Sequence, residues 1–167
     1  MLKNNDTIYE DNYIRNILES TKTIAMIGLS SSWQRPSYFV AKYLLDRGYK
    51  IFPINPKEAG KTILKQKVYS NLSEIKEKID MVDIFRKTSD VGYIINDVLK
   101  IKPSTIWLQI GIINLYAEKL AKSNKINIIM DRCPKIEYSR LSGELGWAGI
   151  NSGIFYNKRK IIRPIIN

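Results

Sequence analysis

The sequence predicts an α/β fold, a doubly wound, mainly parallel five-stranded sheet flanked by helices on both faces. Three observations carry that prediction. Short apolar runs alternate with longer segments of helical periodicity along the chain, as strands joined by helical crossovers do. The strand-like runs are apolar nearly throughout, which suits parallel strands covered on both sides. Turn formers such as Gly28, Gly48, Pro56 and Pro103 stand between the runs. Right-handed crossovers then leave a doubly wound sheet as the simplest topology.

Taken in order, residues 8–20 place Ile14, Ile17 and Leu18 at helical spacing and read as an N-terminal helix. Residues 23–27 form an apolar run that ends in Gly28 and read as the first strand. Residues 36–47 are helical, with Val40, Ala41, Leu44 and Leu45 on one stripe, Pro36 in the first turn and Gly48 at the exit. Residues 50–55 are the second strand. Residues 63–69 read as a short irregular strand or extended loop, and residues 73–78 as one or two helical turns capped by Ser73. The third strand is expected at 81–85. The next helix is marked by Val91, Ile94, Ile95, Val98 and Leu99. A fourth strand at 105–109, a helix at 115–123, a fifth strand at 126–130 and a last helix at 136–145 complete the pattern.

The 167 residues suit one domain. Residues 1–22 are expected to be a helical extension packed on the domain, 23–145 the α/β unit itself, and 146–167 a tail belonging to the same domain. The apolar tail residues Trp147, Ile150, Ile154, Phe155 and Tyr156 are expected to pack within the chain. No run has the length and apolarity of a membrane span. The polar, acidic N-terminus does not resemble a signal or transit peptide, and one cysteine fits a reducing compartment, so a cytoplasmic location is expected.

The formal net charge of +11 suggests nucleic acid. However, the 19 lysines and 8 arginines are scattered, in the company of 28 isoleucines and 13 asparagines, which reads as a general bias in residue usage. Nucleic-acid binders concentrate their basic residues on one face or arm; the densest run here is Lys158, Arg159 and Lys160 near the C-terminus. A basic surface still attracts small polyanions. There is no histidine, which excludes Ser-His-Asp and Cys-His mechanisms within the chain and leaves one cysteine for any zinc site.

In such a sheet, ligands bind beyond the carboxyl ends of the strands, so the loops there hold the candidate residues. After the first strand come Gly28, Leu29, Ser30, Ser31, Ser32, Trp33, Gln34, Arg35, Pro36 and Ser37. A small, hydroxyl-rich loop entering a helix N-terminus suits phosphate, with Ser30, Ser31 and Ser37 as donors and Arg35 as a charged fork. The alternative is a tight turn at Gly28 with solvated serines. The glycine-rich dinucleotide fingerprint is broken at Ser30 and Trp33, and Asn55, Pro56 and Lys57 stand where nicotinamide enzymes carry an acid. Phe85, Arg86 and Lys87 follow the third strand and suit an adenine and a phosphate; a core Phe with a solvated basic pair is the alternative. Gln109 and Gly111 follow the fourth, where a glycine allows close backbone approach. Asp131, Arg132, Cys133, Pro134 and Lys135 follow the fifth. We read Cys133 as a small buried residue at a strand end. A redox thiol, or a thiol that forms a mixed disulfide with a ligand, is its alternative, since neighbouring cations lower a thiol pKa.

Six strand-end motifs now stand in order: Gly28-Leu29-Ser30, Arg35-Pro36-Ser37, Asn55-Pro56, Asp83 to Arg86, Trp107 to Gly111, and Met130 to Lys135. On these the chain resembles the small, single-domain CoA-binding proteins, whose fold is similar to the CoA-binding domain of the succinyl-CoA synthetase α subunit. The tail from Gly146 to Gly153 also looks like that family's ending. The resemblance implies a Rossmann-like domain with coenzyme A lying across the strand ends. Gly28, Ser30 and Arg35 would then meet the pyrophosphate region, with Leu29, Pro36 and Ser37 beside them as further cofactor-binding residues, and Asn55 and Pro56 would flank the nucleotide. Phe85 and Arg86 would close the adenine side, and Gln109 and Gly111 would border the pantetheine. The expected function is binding or sensing of CoA or an acyl-CoA without chemistry of its own, in company with a protein partner. The first alternative is an NAD(P)-binding oxidoreductase or redox sensor, and the second a basic nucleic-acid-binding protein. The ligase domains and the phosphohistidine of the synthetases are missing from this sequence.

Overall fold

The computed structural model describes residues 8–143. Helix α1 (Asp11–Ser20) leads into β1 (Thr23–Ile27), α2 (Pro36–Asp46) and β2 (Lys50–Ile54). A short hairpin, β3 (Thr62–Ile63) and β4 (Gln66–Lys67), follows. The chain then alternates through β5 (Met81–Ile84), α3 (Thr88–Lys100), β6 (Thr105–Leu108), α4 (Leu115–Ser123), β7 (Asn127–Ile129) and α5 (Pro134–Ser142). Five strands form one sheet in the order β2-β1-β5-β6-β7, and every pairing in it is parallel. This is the Rossmann-like arrangement the strand pattern predicts.

Alternation along the strands divides the core in two. Met26, Met81 and Trp107 turn to one face and pack with Ile14, Leu18, Leu44 and Tyr138 from α1, α2 and α5. Ala25, Val82, Ile84 and Ile106 turn to the other face and pack with Val91, Ile95, Ala117 and Ala121 from α3 and α4. Trp107 is wholly buried and donates its indole N–H to the Arg132 carbonyl, 2.8 Å away. That bond fixes the end of β6 against the segment that enters α5. One residue breaks the apolar rule of the strands. Asp83, in register between Met26 and Trp107, is wholly buried.

Several local expectations change. Helix α1 begins at Asp11, with Ile8 exposed before it. Ser73 is not a cap and residues 75–78 are not helical: Asn71 caps a single short turn, Leu72–Glu74, by accepting from the Ser73 amide. The irregular stretch at 63–69 is the hairpin, reversed at Leu64 and Lys65, which both have positive φ. Its far end, Tyr69, forms one parallel bridge to Ile54 of β2. The last helix begins at Pro134, two residues before the expected start at Ile136, because a proline suits the first helical position. That helix ends at Ser142, three residues before the expected end at Leu145, because Gly143 follows it in the left-handed conformation that closes a helix. The tail residues Trp147, Ile150, Ile154, Phe155 and Tyr156, the 146–153 motif and the basic run at 158–160 lie outside the described residues.

Candidate functional site

The helices that start on the carboxyl edge of the sheet do not start alike. Helix α4 is capped by Asn114, whose side-chain oxygen accepts from the Ala117 amide at 2.9 Å. Helices α2, α3 and α5 have no side-chain cap hydrogen bond; Arg35, Lys87 and Cys133 stand at their N-caps. Their positive dipole ends thus carry no side-chain acceptor, while the Tyr38, Asp90 and Glu137 amides turn back to the N-cap carbonyls. These three helix starts and the strand ends between them enclose a cleft of about 1050 Å³.

At the β1 side the cleft is floored by Gly28 and Ser30 and walled by Arg35, Pro36 and Ser37. Gly28 is required twice over. Its φ is +86°, and a Cβ there would sit 2.5 Å from the Phe85 carbonyl oxygen. The loops after β1 and β5 are thus pressed together at the point where chain connections run in opposite directions, the position at which doubly wound sheets take their ligands. Ser37 is buried and its hydroxyl accepts from the Ser30 amide at 3.2 Å, so it shapes the loop as well as lining the cleft.

Beyond β5 the wall consists of Phe85, Arg86, Lys87 and Asp90. Arg86 is about half exposed and pairs with Asp90 at 2.9 Å. The cations Arg35, Arg86, Lys87 and Lys135 thus share the cleft lining with one carboxylate, Asp90. Apolar surface is exposed beside them at Phe39, Ile110 and Ile136. A cationic rim with apolar walls suits a polyanion that carries an apolar or amide-containing arm.

The far end holds Gln109 and Cys133. Gln109 donates through Nε2 to Asp83 Oδ1 at 2.5 Å, while Asp83 Oδ2 has no hydrogen-bond partner among the described residues. Burial pushes the Asp83 carboxyl up to about 8, with the Gln109 hydrogen bond pulling the other way. Burial also pushes the Cys133 thiol up. The Ile136 amide, the Lys135 amide and the Lys135 ammonium oppose that rise, and the Asp83 charge adds to it. The neighbouring cations do not prevail over desolvation.

Eight of the twelve residues expected to hold a ligand line this cleft: Gly28, Ser30, Arg35, Pro36, Ser37, Phe85, Arg86 and Gln109. Four do not. Leu29 points into the core beneath α2. Asn55 is used to brace the first loop, donating to the Leu29 carbonyl at 3.0 Å and to Glu58, and Pro56 opens the short turn that carries Glu58. Gly111 donates its amide to Asp131 Oδ1 at 2.7 Å, which ties the β6 and β7 loops together. Glycine is needed there for its φ of +79°, not for crowding, since a Cβ would meet nothing within 4 Å.

Sequence reading missed Glu58, which accepts from the Ser31 amide at 3.2 Å and whose carboxyl is held below the usual range chiefly by Ser31. It also passed over Asp83 as a site residue. The signal for Asp83 was present, as an acid inside the run Met81-Val82-Asp83-Ile84. Glu58 had no such signal, because its partner lies 27 residues away.

Comparisons with known proteins agree with the fold. The profile of the CoA binding domain family matches residues 22–139. The uncharacterized protein YneT of Bacillus subtilis (strain 168) is 35% identical over 126 residues, which cover 75% of this chain and 92% of that protein. The structure of cell-free ID.343 from Thermus thermophilus superposes with a TM-score of 0.77 at 34% identity, covering 80% of this chain and 99% of that one. A hypothetical protein from Pyrococcus horikoshii OT3 gives 0.75 at 34% identity, over 80% of this chain and 92% of its own.

Proposed function

Since the chain belongs to the CoA binding domain family, we propose that it binds coenzyme A or an acyl-CoA in the cleft at the carboxyl ends of the strands, as a binding or sensing module. The observation that carries this reading is the meeting of three helix starts without side-chain caps and four cations on one cleft. Phosphates take backbone amides at helix N-termini and add charge-assisted bonds from arginine. The pyrophosphate lies on the 28–37 loop and the start of α2, with Arg35 and Arg86 on its oxygens. The pantetheine arm follows Gln109 and the apolar wall of Ile110 and Ile136. Asn55, Pro56 and Lys57 stand directly after β2, where a nicotinamide ribose would call for an acid, and Asn55 is engaged in bracing the Leu29 carbonyl.

Calorimetric titration of ligand-stripped protein with CoA tests the reading, with NADH and NADP⁺ as controls. One saturable site for CoA alone is expected. Arg35→Ala and Arg86→Ala should each weaken CoA by about 1.5–3 kcal/mol, the worth of a hydrogen bond to a charged group, which is roughly ten- to a hundredfold in Kd. Arg35 has the cleaner expectation, because Arg86 must leave Asp90 to take a phosphate. Unchanged affinity in both variants would overturn this placement of the phosphates.

A further inference from the structure

Neither the phosphates nor the core explains Asp83. It lies on the central strand β5, is completely buried, and has the apolar Met26 and Trp107 as its register neighbours. Its polar contact among the described residues is with Gln109, and its second oxygen has no partner there. A buried carboxyl group so poorly satisfied destabilises a fold. The use that retains it is therefore to be sought at Gln109.

Gln109 joins the buried acid to the cleft. It stands two positions after Trp107, so the alternation of β6 puts it on the face that Asp83 shares with Met26 and Trp107. From there its Nε2 donates to Asp83 Oδ1 at 2.5 Å. The residue is half-buried and lines the far end of the cleft. Its other polar atom, Oε1, has no hydrogen-bond partner among the described residues and is open to solvent. The amide is thus divided in use. Its donor half is held inward by Asp83, and its acceptor half is left for the cleft. A carboxyl group keeps an accepting oxygen whether or not the other oxygen carries a proton, so the arrangement holds in either charge state.

The surrounding lining tells what that acceptor can select. The side chains of Arg35, Arg86, Lys87 and Lys135 only donate, and Asp90 is taken up by Arg86. Ile110 and Ile136 offer no polar side-chain atom. An acceptor set among donors and apolar walls favours a ligand group that carries an N–H. The phosphates of CoA present acceptors alone, whereas its pantetheine arm carries amide N–H groups.

Resting on the reading that the cleft holds CoA, we propose that Asp83 is a positioning residue for the pantetheine arm: it holds the Gln109 amide so that Oε1 accepts an amide N–H of that arm. Gln109 touches the ligand, and Asp83 acts through it. A contact group selects well only when its own rotamer is fixed by a neighbour. Without the acceptor beneath it, the Gln109 amide turns freely and the cleft loses an acceptor of fixed direction. The buried acid thereby separates CoA from nucleotides that share its phosphates and lack its arm.

Calorimetry of the ligand-stripped full chain with two probes tests this. One probe is CoA; the other is phosphoadenosine diphosphate, which is CoA without the arm. Gln109→Leu should weaken CoA by about three- to tenfold, the effect of one neutral hydrogen bond, and leave the armless nucleotide unchanged. Asp83→Leu, an apolar residue placed between Met26 and Trp107, should reproduce that arm-selective loss. Asp83→Asn keeps an accepting oxygen for Nε2 and should hold CoA near its wild-type affinity. Changes that act through one contact do not add, so Asp83→Leu combined with Gln109→Leu should bind CoA no more weakly than Gln109→Leu alone.

A loss in Asp83→Leu shared equally by both probes would make Asp83 merely structural and overturn the proposal. So would a loss that adds in full to that of Gln109→Leu, an Asp83→Asn as weak as Asp83→Leu, or unchanged CoA binding in either leucine variant. If Asp83→Leu does not fold, NMR of the wild type decides. The Gln109 side-chain amide proton bonded to a buried oxygen should exchange with water at least about tenfold more slowly than a solvated one, and exchange at the solvated rate defeats the proposal. Each of these negative results leaves the CoA reading standing; wild-type protein that binds no CoA sinks both.

Discussion

Asp83→Asn is expected to make the protein more stable at pH 8 and to leave its stability unchanged below about pH 4. The sign follows from where the proton is held. The folded protein keeps the Asp83 proton up to about 8, against an ordinary value of 3.8. An acid raised in this way favours the folded state only as its neutral form. Its contribution is intact below the unfolded value, and stability falls steadily as the pH rises from about 4 through 8, because folding must take up a proton. Each pH unit between those two values is worth about 1.4 kcal/mol, so the gross penalty at pH 8 is at most about 5 kcal/mol; relaxation around the site brings a realistic figure nearer 2–3 kcal/mol. Asparagine keeps the shape and the acceptor for Gln109 without the ionisation. Urea midpoints of the two proteins at pH 4, 6 and 8 measure the effect. A constant difference across that range would mean that Asp83 is not a neutral buried acid.

Gly28→Ala should act in the opposite sense and on two properties at once. A left-handed φ costs a residue with a Cβ about 1–2 kcal/mol, and the new Cβ would stand 2.5 Å from the Phe85 carbonyl oxygen. That oxygen belongs to backbone tied into the sheet through the Phe85 amide, which donates to the Ile27 carbonyl at 2.8 Å. It can move only by opening the β1–β5 junction. A loss of roughly 3 kcal/mol or more is expected, in the range of the larger single-residue effects. CoA binding should disappear, since the same displacement shifts the 28–37 loop away from Arg86. Chemical denaturation and calorimetry together report both effects. An alanine variant with wild-type stability would show that this junction yields easily.

The two substitutions also mark what could be read from the sequence and what could not. The strands and most helices were legible because periodicity and turn residues agree along the chain, as at the run 23–27 that ends in Gly28. The cleft was legible at the ends of β1 and β5, where loop chemistry and helix start are neighbours in sequence. It was less so where a residue's task depends on a distant partner. Asn55 looks like a ligand residue until it is seen holding the Leu29 carbonyl, 26 positions away. Ser73 looks like a cap until Asn71 is seen accepting from its amide. Asp83 was visible as an acid in an apolar strand, but its protonation follows from complete burial, and burial is settled by the packing of α1, α2 and α5 over that face.

Helix α4 carries its own asparagine cap, while α2, α3 and α5 begin without one. The chain thus caps one of these four helix ends with a side chain and leaves three without such a cap, open to the proposed ligand. A ligand that supplies those acceptors becomes in effect part of the secondary structure, bonded to backbone amides of elements from three different stretches of the chain. On the proposed reading its departure would loosen three helix ends together, and the occupied and empty forms would differ in the rigidity of the entire carboxyl edge as well as in the contents of a pocket. That is a difference another molecule touching the edge can read without touching the ligand.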